Sequence, residues 1–265
     1  MLQSINDLMG YRIAASDGEI GTVADVLFDD STSALRYVVV DTGTWLSGRQ
    51  VLLAPAAFGA PNPTDRTLPT ALTRHQVESS PDLSSDMPVS RQLEESVHSH
   101  YGWAPYWQGQ PGLIGIPWGV PPLAADVDPD PHRLPEGDLD RSLEGELRAR
   151  EMEGQDPHLR AASEVIGYYV KARDGDIGHV EDLLFDPEER VIRYVVVDTA
   201  NWLPGRKVLV ATHWFHDVDW FENTITADLT RREIEASPEY DPSRAFGREE
   251  EGRLYGHYGR TGYWI

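Results

Sequence analysis

The sequence predicts a mainly β protein, built from two tandem, small antiparallel β-barrels that are related by an internal repeat. Residues 10–54 align with residues 167–211 without a gap, so that Gly18 matches Gly175 at an offset of 175 − 18 = 157. A repeat of this kind marks duplicated structural units. Alternation of apolar and polar residues predicts strands, and Asp-Gly pairs predict the turns between them. Each copy is long enough to bury a small core.

Four segments of the first repeat have the pattern of strands, namely residues 11–15, 20–29, 35–42 and 50–54. Residues 20–29 alternate between two faces, as expected for a strand. Residues 37–40 are Tyr-Val-Val-Val, a run that favours a strand buried on both faces.

The second repeat shows how each unit continues. Residues 213–220 and 224–228 predict two short strands, and Thr230 with Glu233 forms the capping box of a helix. In the first repeat the matching stretch, residues 60–63, is Ala-Pro-Asn-Pro. Because proline cannot donate to a strand ladder, we expect that strand to be shortened or at an edge.

The repeat extends beyond the barrels into a helix and a tail that ends in Tyr-Trp in both copies. A helix over residues 90–101 is predicted, because Leu93, Val97 and Tyr101 form one apolar stripe. The organisation we predict is repeat 1 (1–82), helix and aromatic tail 1 (83–107), a Pro/Gly-rich and acidic linker with a short helix at 138–153 (108–163), repeat 2 (164–239) and tail 2 (240–265).

The chain has a formal net charge of −21 and no cysteine. Its negative charge disfavours direct nucleic-acid binding and anionic membrane surfaces. The lack of cysteine excludes disulfides, thiol catalysis and thiolate metal sites. Neither a signal peptide nor a transmembrane segment is predicted, so we expect a soluble, cytoplasmic protein.

Three polar positions recur in both repeats and are candidates for a structural ion pair or a polar binding patch. We favour structural polar pairs that set strand register or satisfy the backbone of a loop. The residues are Asp25, Arg36 and Asp41 in the first repeat, and Asp182, Arg193 and Asp198 in the second.

Two motifs suggest metal sites but have simpler explanations. The Asp-Gly-Glu-Ile-Gly motif at 17–21 is better explained as a hairpin turn whose second glycine lets strands approach at a bulge. His98 and His100 form a possible ligand pair, yet the second repeat has Tyr255 in place of His98. No catalytic motif is present, and we expect neither an enzyme nor a bound cofactor.

Aromatic residues in loops and tails are the candidates for an interaction surface. We expect the tails to dock on their own barrels, and docking on another chain, as a swapped dimer or a partner-binding motif, is the alternative. The loop candidates are Trp45, Arg49, Trp202 and Arg206. Each loop tryptophan is either a binding anchor or a side chain that closes one end of its barrel. The tail candidates are Tyr101, Trp103, Tyr106, Trp107, Tyr258, Tyr263 and Trp264.

Both repeats resemble the PRC-barrel domain. The matching residues of the first repeat are Asp-Gly-Glu-Ile-Gly at 17–21, Phe28-Asp29 and Arg-Tyr-Val-Val-Val-Asp at 36–41, and those of the second are Asp-Gly-Asp-Ile-Gly at 174–178, Phe-Asp at 185–186 and Arg-Tyr-Val-Val-Val-Asp at 193–198. This family includes a domain of the photosynthetic reaction centre H chain and the C-terminal part of the ribosome maturation factor RimM. The resemblance implies a small, mostly antiparallel barrel without known catalytic residues that serves as a docking module.

The function that we predict is a non-enzymatic interaction or scaffold module that binds a protein partner, with a homodimer as one form of that interaction. One alternative is a factor of ribosome or RNA metabolism, by analogy with RimM, which would bind a basic ribosomal protein. Another is a protein that binds a metal or a small ligand.

Overall fold

The structure, a computed structural model, describes residues 1–83, 89–108, 158–199 and 206–265. The helix predicted at 138–153 and Trp202 lie outside these ranges. The strands are β1 (Gln3–Ser4), β2 (Arg12–Ala15), β3 (Gly18–Asp29), β4 (Leu35–Asp41), β5 (Gln50–Leu53), β6 (Thr67–Pro69), β7 (Leu159–Ala161), β8 (Tyr169–Ala172), β9 (Gly175–Asp186), β10 (Val191–Asp198), β11 (Lys207–Ala211), β12 (Phe215–Asp219) and β13 (Thr224–Ala227). The helices are α1 (Ile5–Leu8), α2 (Arg74–Glu78), α3 (Arg91–Tyr101), α4 (Ala162–Val165), α5 (Arg231–Glu235) and α6 (Arg248–His257).

Two sheets with the same strand order confirm the predicted fold class. The first runs β5-β4-β3-β2-β6, and the second runs β11-β10-β9-β8-β13-β12. Most neighbours are antiparallel, but β2 pairs with β6 and β8 pairs with β13 in parallel. In the first sheet isolated bridges, Phe58 to Thr70 and Asn62 to Thr67, replace β12. The prolines therefore have the effect that the sequence predicted.

The two faces of each sheet are both buried. In β4, Val38 and Val40 belong to the core that the strands enclose. Tyr37 and Val39 belong to a second cluster on the other face, which α3 covers through Val97. The β-branched run was predicted to be buried on both faces, and the tail helix is the element that buries the second one.

A bulge at the predicted glycine lets β3 approach the end of β4. The pairing of β2 with β3 shifts between Ile13 and Ala14, opposite Gly21 and Glu19. Gly21 has a φ of 156°, and a Cβ there would lie 2.0 Å from the carbonyl oxygen of Asp41. The hairpin interpretation of the Asp-Gly motif is therefore confirmed.

The two halves exchange their first strands. Strand β1 of the first half pairs with β9 of the second, and β7 of the second half pairs with β3 of the first. The registers match at the offset of 157, since Gln3 faces Phe185 and Arg160 faces Phe28. This reciprocity gives the two halves an approximate two-fold arrangement.

A strand bridge lies on the two-fold axis itself. Ala34 bridges Val191, which is its own counterpart in the repeat. The amide of Leu35 donates to the carbonyl of Arg190 at 2.8 Å, and the amide of Ile192 donates to the carbonyl of Ser33 at 2.8 Å. One buried apolar cluster includes residues of both halves. The halves therefore share one apolar core.

Substituting Gly21 by alanine tests the close approach at the bulge. We expect Gly21→Ala to lower the free energy of unfolding by about 3 kcal/mol or more, because strain at this φ adds to a clash with backbone. The control is Gly10→Ala, at a φ of 73° with no atom within 4 Å of the new Cβ. It should cost only about 1 kcal/mol. Equal losses in urea titrations of the two variants would contradict the argument.

Candidate interaction surfaces

The recurring aspartates Asp25 and Asp182 lie at the junction of the two halves. Asp182 accepts hydrogen bonds from the backbone amide of Asn6, at 3.0 Å, and from the hydroxyl of Ser4. Asp25 accepts from the amide of Ser163, at 3.2 Å, and from its hydroxyl. Burial raises the pKa of Asp182, although these donors oppose the shift. Each aspartate therefore holds the first residues of the opposite half.

The other recurring polar residues make separate contacts and do not meet one another in a shared patch. Arg36 pairs with Asp29 at 2.7 Å, and Arg193 pairs with Glu189. The backbone amide of Gly43 donates to the carboxylate of Asp41 at 2.8 Å. Asp198 lies 3.9 Å from the imidazole of His179.

The arginines of the Trp-containing loops contact helix ends. Arg49 donates to the carbonyls of Glu78, at 3.2 Å, and Ser80, at 2.6 Å. Arg206 donates to the matching carbonyls of Glu235, at 2.6 Å, and Ser237. Cationic groups at the C-termini of helices satisfy carbonyls that lack partners within the helix. These two arginines therefore join each loop to helices α2 and α5.

Trp45 is half-buried beside the hairpin that β2 and β3 form. Its indole N–H donates to the carbonyl of Ile20, and the guanidinium of Arg74 lies 4.5 Å from its ring centre. One face of the ring is therefore occupied by the chain itself. Trp202, its counterpart, lies outside the described residues.

The aromatic tails lie on the outer faces of their own sheets, where each surrounds one buried glutamate. In each half, we call the buried glutamate, the two tyrosines that donate to it and the two arginines beside them the tail clasp. In the first half, Glu94 is fully buried and accepts from the hydroxyls of Tyr37, at 3.0 Å, and Tyr106, at 2.6 Å. Arg91 lies 3.1 Å from the second carboxylate oxygen. The guanidinium of Arg36 stacks on Tyr106 at 4.0 Å.

The tail clasp of the second half has the same contacts. Glu251 is 3% exposed and accepts from Tyr194, at 2.9 Å, and Tyr263, at 2.8 Å. Arg248 lies 3.0 Å from its other oxygen. Arg193 stacks on Tyr263 at 4.1 Å. The buried charge is thus paired and hydrogen-bonded, as burial of a carboxylate requires.

The remaining tail rings pack close to the clasps. Tyr101 stacks on Trp103, with ring centres 4.3 Å apart. Arg91 lies 4.4 Å from the ring of Trp107, and Arg248 lies 4.3 Å from that of Trp264. Tyr258 packs edge-on against Trp214 at 4.8 Å, and burial raises the pKa of Tyr258 to about 12. In this chain the tails thus cover their own barrels.

The histidines of the tails have structural contacts. His98 lies 2.9 Å from the hydroxyl of Tyr37, and burial lowers its pKa. His100 and His257 each approach a carbonyl of the short preceding helix, that of Gln76 or of Glu233, at 2.8 Å. Within the described residues, no group of three His, Cys, Asp or Glu side chains could hold a metal ion.

The sequence analysis did not identify the two buried glutamates that accept hydrogen bonds from the tail tyrosines. Glu94 and Glu251 share the offset of the repeat, since 251 − 94 = 157, and each follows an arginine by three residues. A carboxylate that recurs among the apolar residues of a tail helix was the available signal. The tyrosine hydroxyls that bind it, from Tyr37 and Tyr194, come from the Tyr-Val-Val-Val runs of β4 and β10, which were predicted only to be buried.

Two exposed aromatic residues occur in the second half and have no aromatic counterpart in the first. Tyr169 is 61% exposed and Phe221 is 63% exposed in the second half. Their counterparts in the first half are Arg12 and Thr64, so these aromatic groups are specific to one half. Exposed aromatic side chains are typical of protein interfaces.

The fold and its contacts define a tandem two-barrel β protein in which each barrel completes the other. The family model of the PRC-barrel domain matches residues 3–57 and 157–234, about half of the 265 residues. The chain belongs to the PRC-barrel domain family. An uncharacterized protein of Deinococcus radiodurans is 31% identical over 78 residues, which are 29% of this chain and 28% of that protein. The match therefore spans less than a third of that relative's length.

Among the described residues, no helix is both long enough and apolar enough to span a bilayer.

Removing the buried carboxylate of a tail clasp should destabilise the chain strongly. We expect Glu251→Ala to lower the free energy of unfolding by about 3 kcal/mol, because it leaves Arg248, the buried hydroxyl of Tyr194 and the half-buried hydroxyl of Tyr263 without their acceptor. The matched control is Glu249→Ala on the same helix, where the carboxylate is 74% exposed. It should cost less than about 0.5 kcal/mol in the same urea titration. If Glu251→Ala lowers the free energy of unfolding no more than Glu249→Ala does, the clasp adds little stability.

The fold should weaken as the pH falls, in part through His213. Burial, and then Arg260 and Arg193, lower its pKa to about 4. The folded state holds this imidazole neutral, whereas the unfolded chain takes up a proton below pH 6.5. The free energy of unfolding is therefore not reduced by this histidine above pH 6.5, and it falls as the pH drops from 6.5 towards 4.

Between pH 7 and pH 5, the wild type should lose about 2 kcal/mol more than His213→Gln in the free energy of unfolding. Urea titrations at the two pH values measure this difference. His75→Gln, at an exposed position, should behave as the wild type does. If His213→Gln loses as much stability as the wild type, the histidine is not held neutral by the fold.

Proposed function

We propose that this chain is a non-enzymatic interaction module, in which two fused PRC-barrel units form one rigid body that presents different surfaces to a protein partner. The observation that carries the proposal is the divergence between the halves. The tail clasps and the Asp25 and Asp182 contacts recur in both, while the exposed aromatics Tyr169 and Phe221 occur in one. Aromatic residues are enriched at protein interfaces, which supports a binding role for these two side chains.

The charge of the chain favours a basic partner. A net charge of −21 attracts cationic surfaces and raises their association rate at low ionic strength. A basic ribosomal protein would have this property, so a ribosome-associated role is the second candidate that the charge favours. Direct RNA binding runs against the same charge. The absence of cysteine fits a reducing compartment, and we propose the cytoplasm as the site of action.

The polar groups that the fold brings together support a structural rather than a catalytic use. Both buried glutamates are bound by tyrosines and an arginine, and Asp25 and Asp182 hold the exchanged segments. These carboxylates are occupied by the chain's own donors. A catalytic acid or base needs a proton donor or acceptor that faces substrate.

Replacing the exposed aromatics by their counterparts from the first half tests the proposal. We expect the double variant Tyr169→Arg/Phe221→Thr to keep its stability within about 0.5 kcal/mol, because both side chains are mostly exposed. Affinity capture from a lysate of the source organism, with quantitative mass spectrometry, should recover at least tenfold less of the partner that the wild type binds.

The control for this capture is Thr64→Ala, at the exposed position in the first half that corresponds to Phe221. It should recover the partner as the wild type does. Equal recovery by the double variant and the wild type would reject this surface as the binding site. Loss of the partner above about 0.3 M salt in wild-type capture is also expected, because screening weakens charge attraction.

A further inference from the structure

A groove lies beside helix α1 of the first half. We call it the α1 groove. It has a volume of about 290 Å³, and its walls include Gln3, Tyr11, Pro63 and Tyr240. A second cleft of about 360 Å³ adjoins it and shares three of its residues, Gln3, Leu8 and Pro61. Preformed concave sites of this size can hold a large side chain.

In the second half the same place is filled by an indole ring of the chain itself. Trp220 corresponds to Pro63 in the repeat. Its ring centre lies 4.2 Å from the guanidinium of Arg160 and 6.0 Å from the ring of Tyr168. Arg160 and Tyr168 are the counterparts of Gln3 and Tyr11. The fold therefore places an aromatic ring at this position in one half and leaves the position open in the other.

The residues that replace Trp220 in the first half do not close the groove. Pro63 is exposed at its edge. Arg66 lies 4.8 Å from the ring centre of Tyr11, and its guanidinium donates to the carbonyls of Asp7 and Met9. It covers part of the Tyr11 ring but stays bound to the backbone of the α1 segment. The prolines that shorten the strand after Phe58 thus also open the groove.

Carboxylates outnumber the basic side chains around the groove. Burial raises the pKa of Tyr240 on its wall to about 12, and so do the carboxylates of Asp182, Asp7, Asp241 and Glu181. These four carboxylates act against the guanidiniums of Arg244, which lines the groove, and Arg66, and against the ammonium of Lys207, which pairs with Glu181 at 2.5 Å. Within a chain of net charge −21, the groove favours a cationic ligand.

We propose that the α1 groove binds a segment of a partner polypeptide that presents an aromatic side chain flanked by lysine or arginine. The aromatic ring would take the place beside Gln3 and Tyr11 that Trp220 takes in the second half, and its cationic neighbours would face the carboxylates around Tyr240. Aromatic anchors in pockets and complementary charges at the rim are the usual basis of such recognition. This inference rests on the proposed function as an interaction module and adds the chemistry of the partner.

Short peptides titrated into the intact chain test the groove directly. The probe is the capped pentapeptide Gly-Lys-Trp-Lys-Gly, and binding is followed by chemical shifts of backbone amides. The shifts should saturate and should concentrate at Leu2, Tyr11, Tyr240 and Phe246. Peptides with alanine in place of tryptophan, or glutamate in place of both lysines, should bind at least tenfold more weakly. The first comparison tests the ring and the second tests the charge.

Two variants of the chain complete the test. Pro63→Trp supplies the ring that the second half carries and should weaken binding of the probe at least tenfold, while Pro63→Ala should bind within about twofold of the wild type. Gln3→Arg introduces the charge of Arg160 and should weaken binding at least fivefold, so the test does not depend on one variant folding. The proposal is wrong if the probe does not bind saturably or if both Pro63→Trp and Gln3→Arg bind it as the wild type does.

The outcome is separable from that of the proposed function. The variant Tyr169→Arg/Phe221→Thr leaves the α1 groove intact and should bind the peptide as the wild type does. If the peptide fails to bind while partner capture still depends on Tyr169 and Phe221, the groove proposal falls and the interaction module stands. If the peptide binds and capture is unchanged by that double variant, the groove stands without the aromatic surface.

Discussion

The exchange of first strands between the halves is the constraint on which the rest of the structure depends. Strand β1 extends the sheet of the second half by pairing with β9, and β7 extends the sheet of the first half by pairing with β3. The last residues of β3 and β9 therefore find a pairing partner in the other half. Small barrels bury little apolar surface by themselves. Fusing two copies in one chain supplies the missing strand to each and places one buried cluster across both. The pairing of Ala34 with Val191 on the axis ties the same two units at a third point.

The tail helices bury apolar surface that the sheets would otherwise expose. Each sheet has an apolar outer face, and α3 or α6 covers it with residues such as Val97 and Leu254. A single buried glutamate then sets how the tail lies, because it accepts from a strand tyrosine and from a tail tyrosine at once. A buried carboxylate with incomplete partners would cost several kcal/mol, so this geometry has few alternatives. The aromatic residues that seemed suited to a partner are thereby largely used within the chain.

Duplication also explains where the surfaces of the molecule are free to change. Residues that hold the exchanged strands and the tails keep their role in both copies, whereas exposed positions such as Arg12 and its counterpart Tyr169 differ between the copies. Pro63 and Trp220 show the consequence at one position. The same backbone framework leaves a groove in one half and buries an indole against Arg160 in the other. Divergence of this kind converts a symmetric body into one with distinct faces.

The sequence by itself determined the repeat, the mainly β fold, the bulge at Gly21, the capping box at Thr230 and the strand shortened by prolines, because each depends on local chemistry or on periodicity. It also determined that Asp25 and Asp182 have equivalent roles. Only the tertiary structure decided which groups they bind, since their partners lie more than a hundred residues away along the chain. The same holds for Glu94 and Glu251, whose acceptor role depends on how the tail folds back over the sheet. Contacts between distant segments depend on three-dimensional packing, and local sequence patterns carry no record of it.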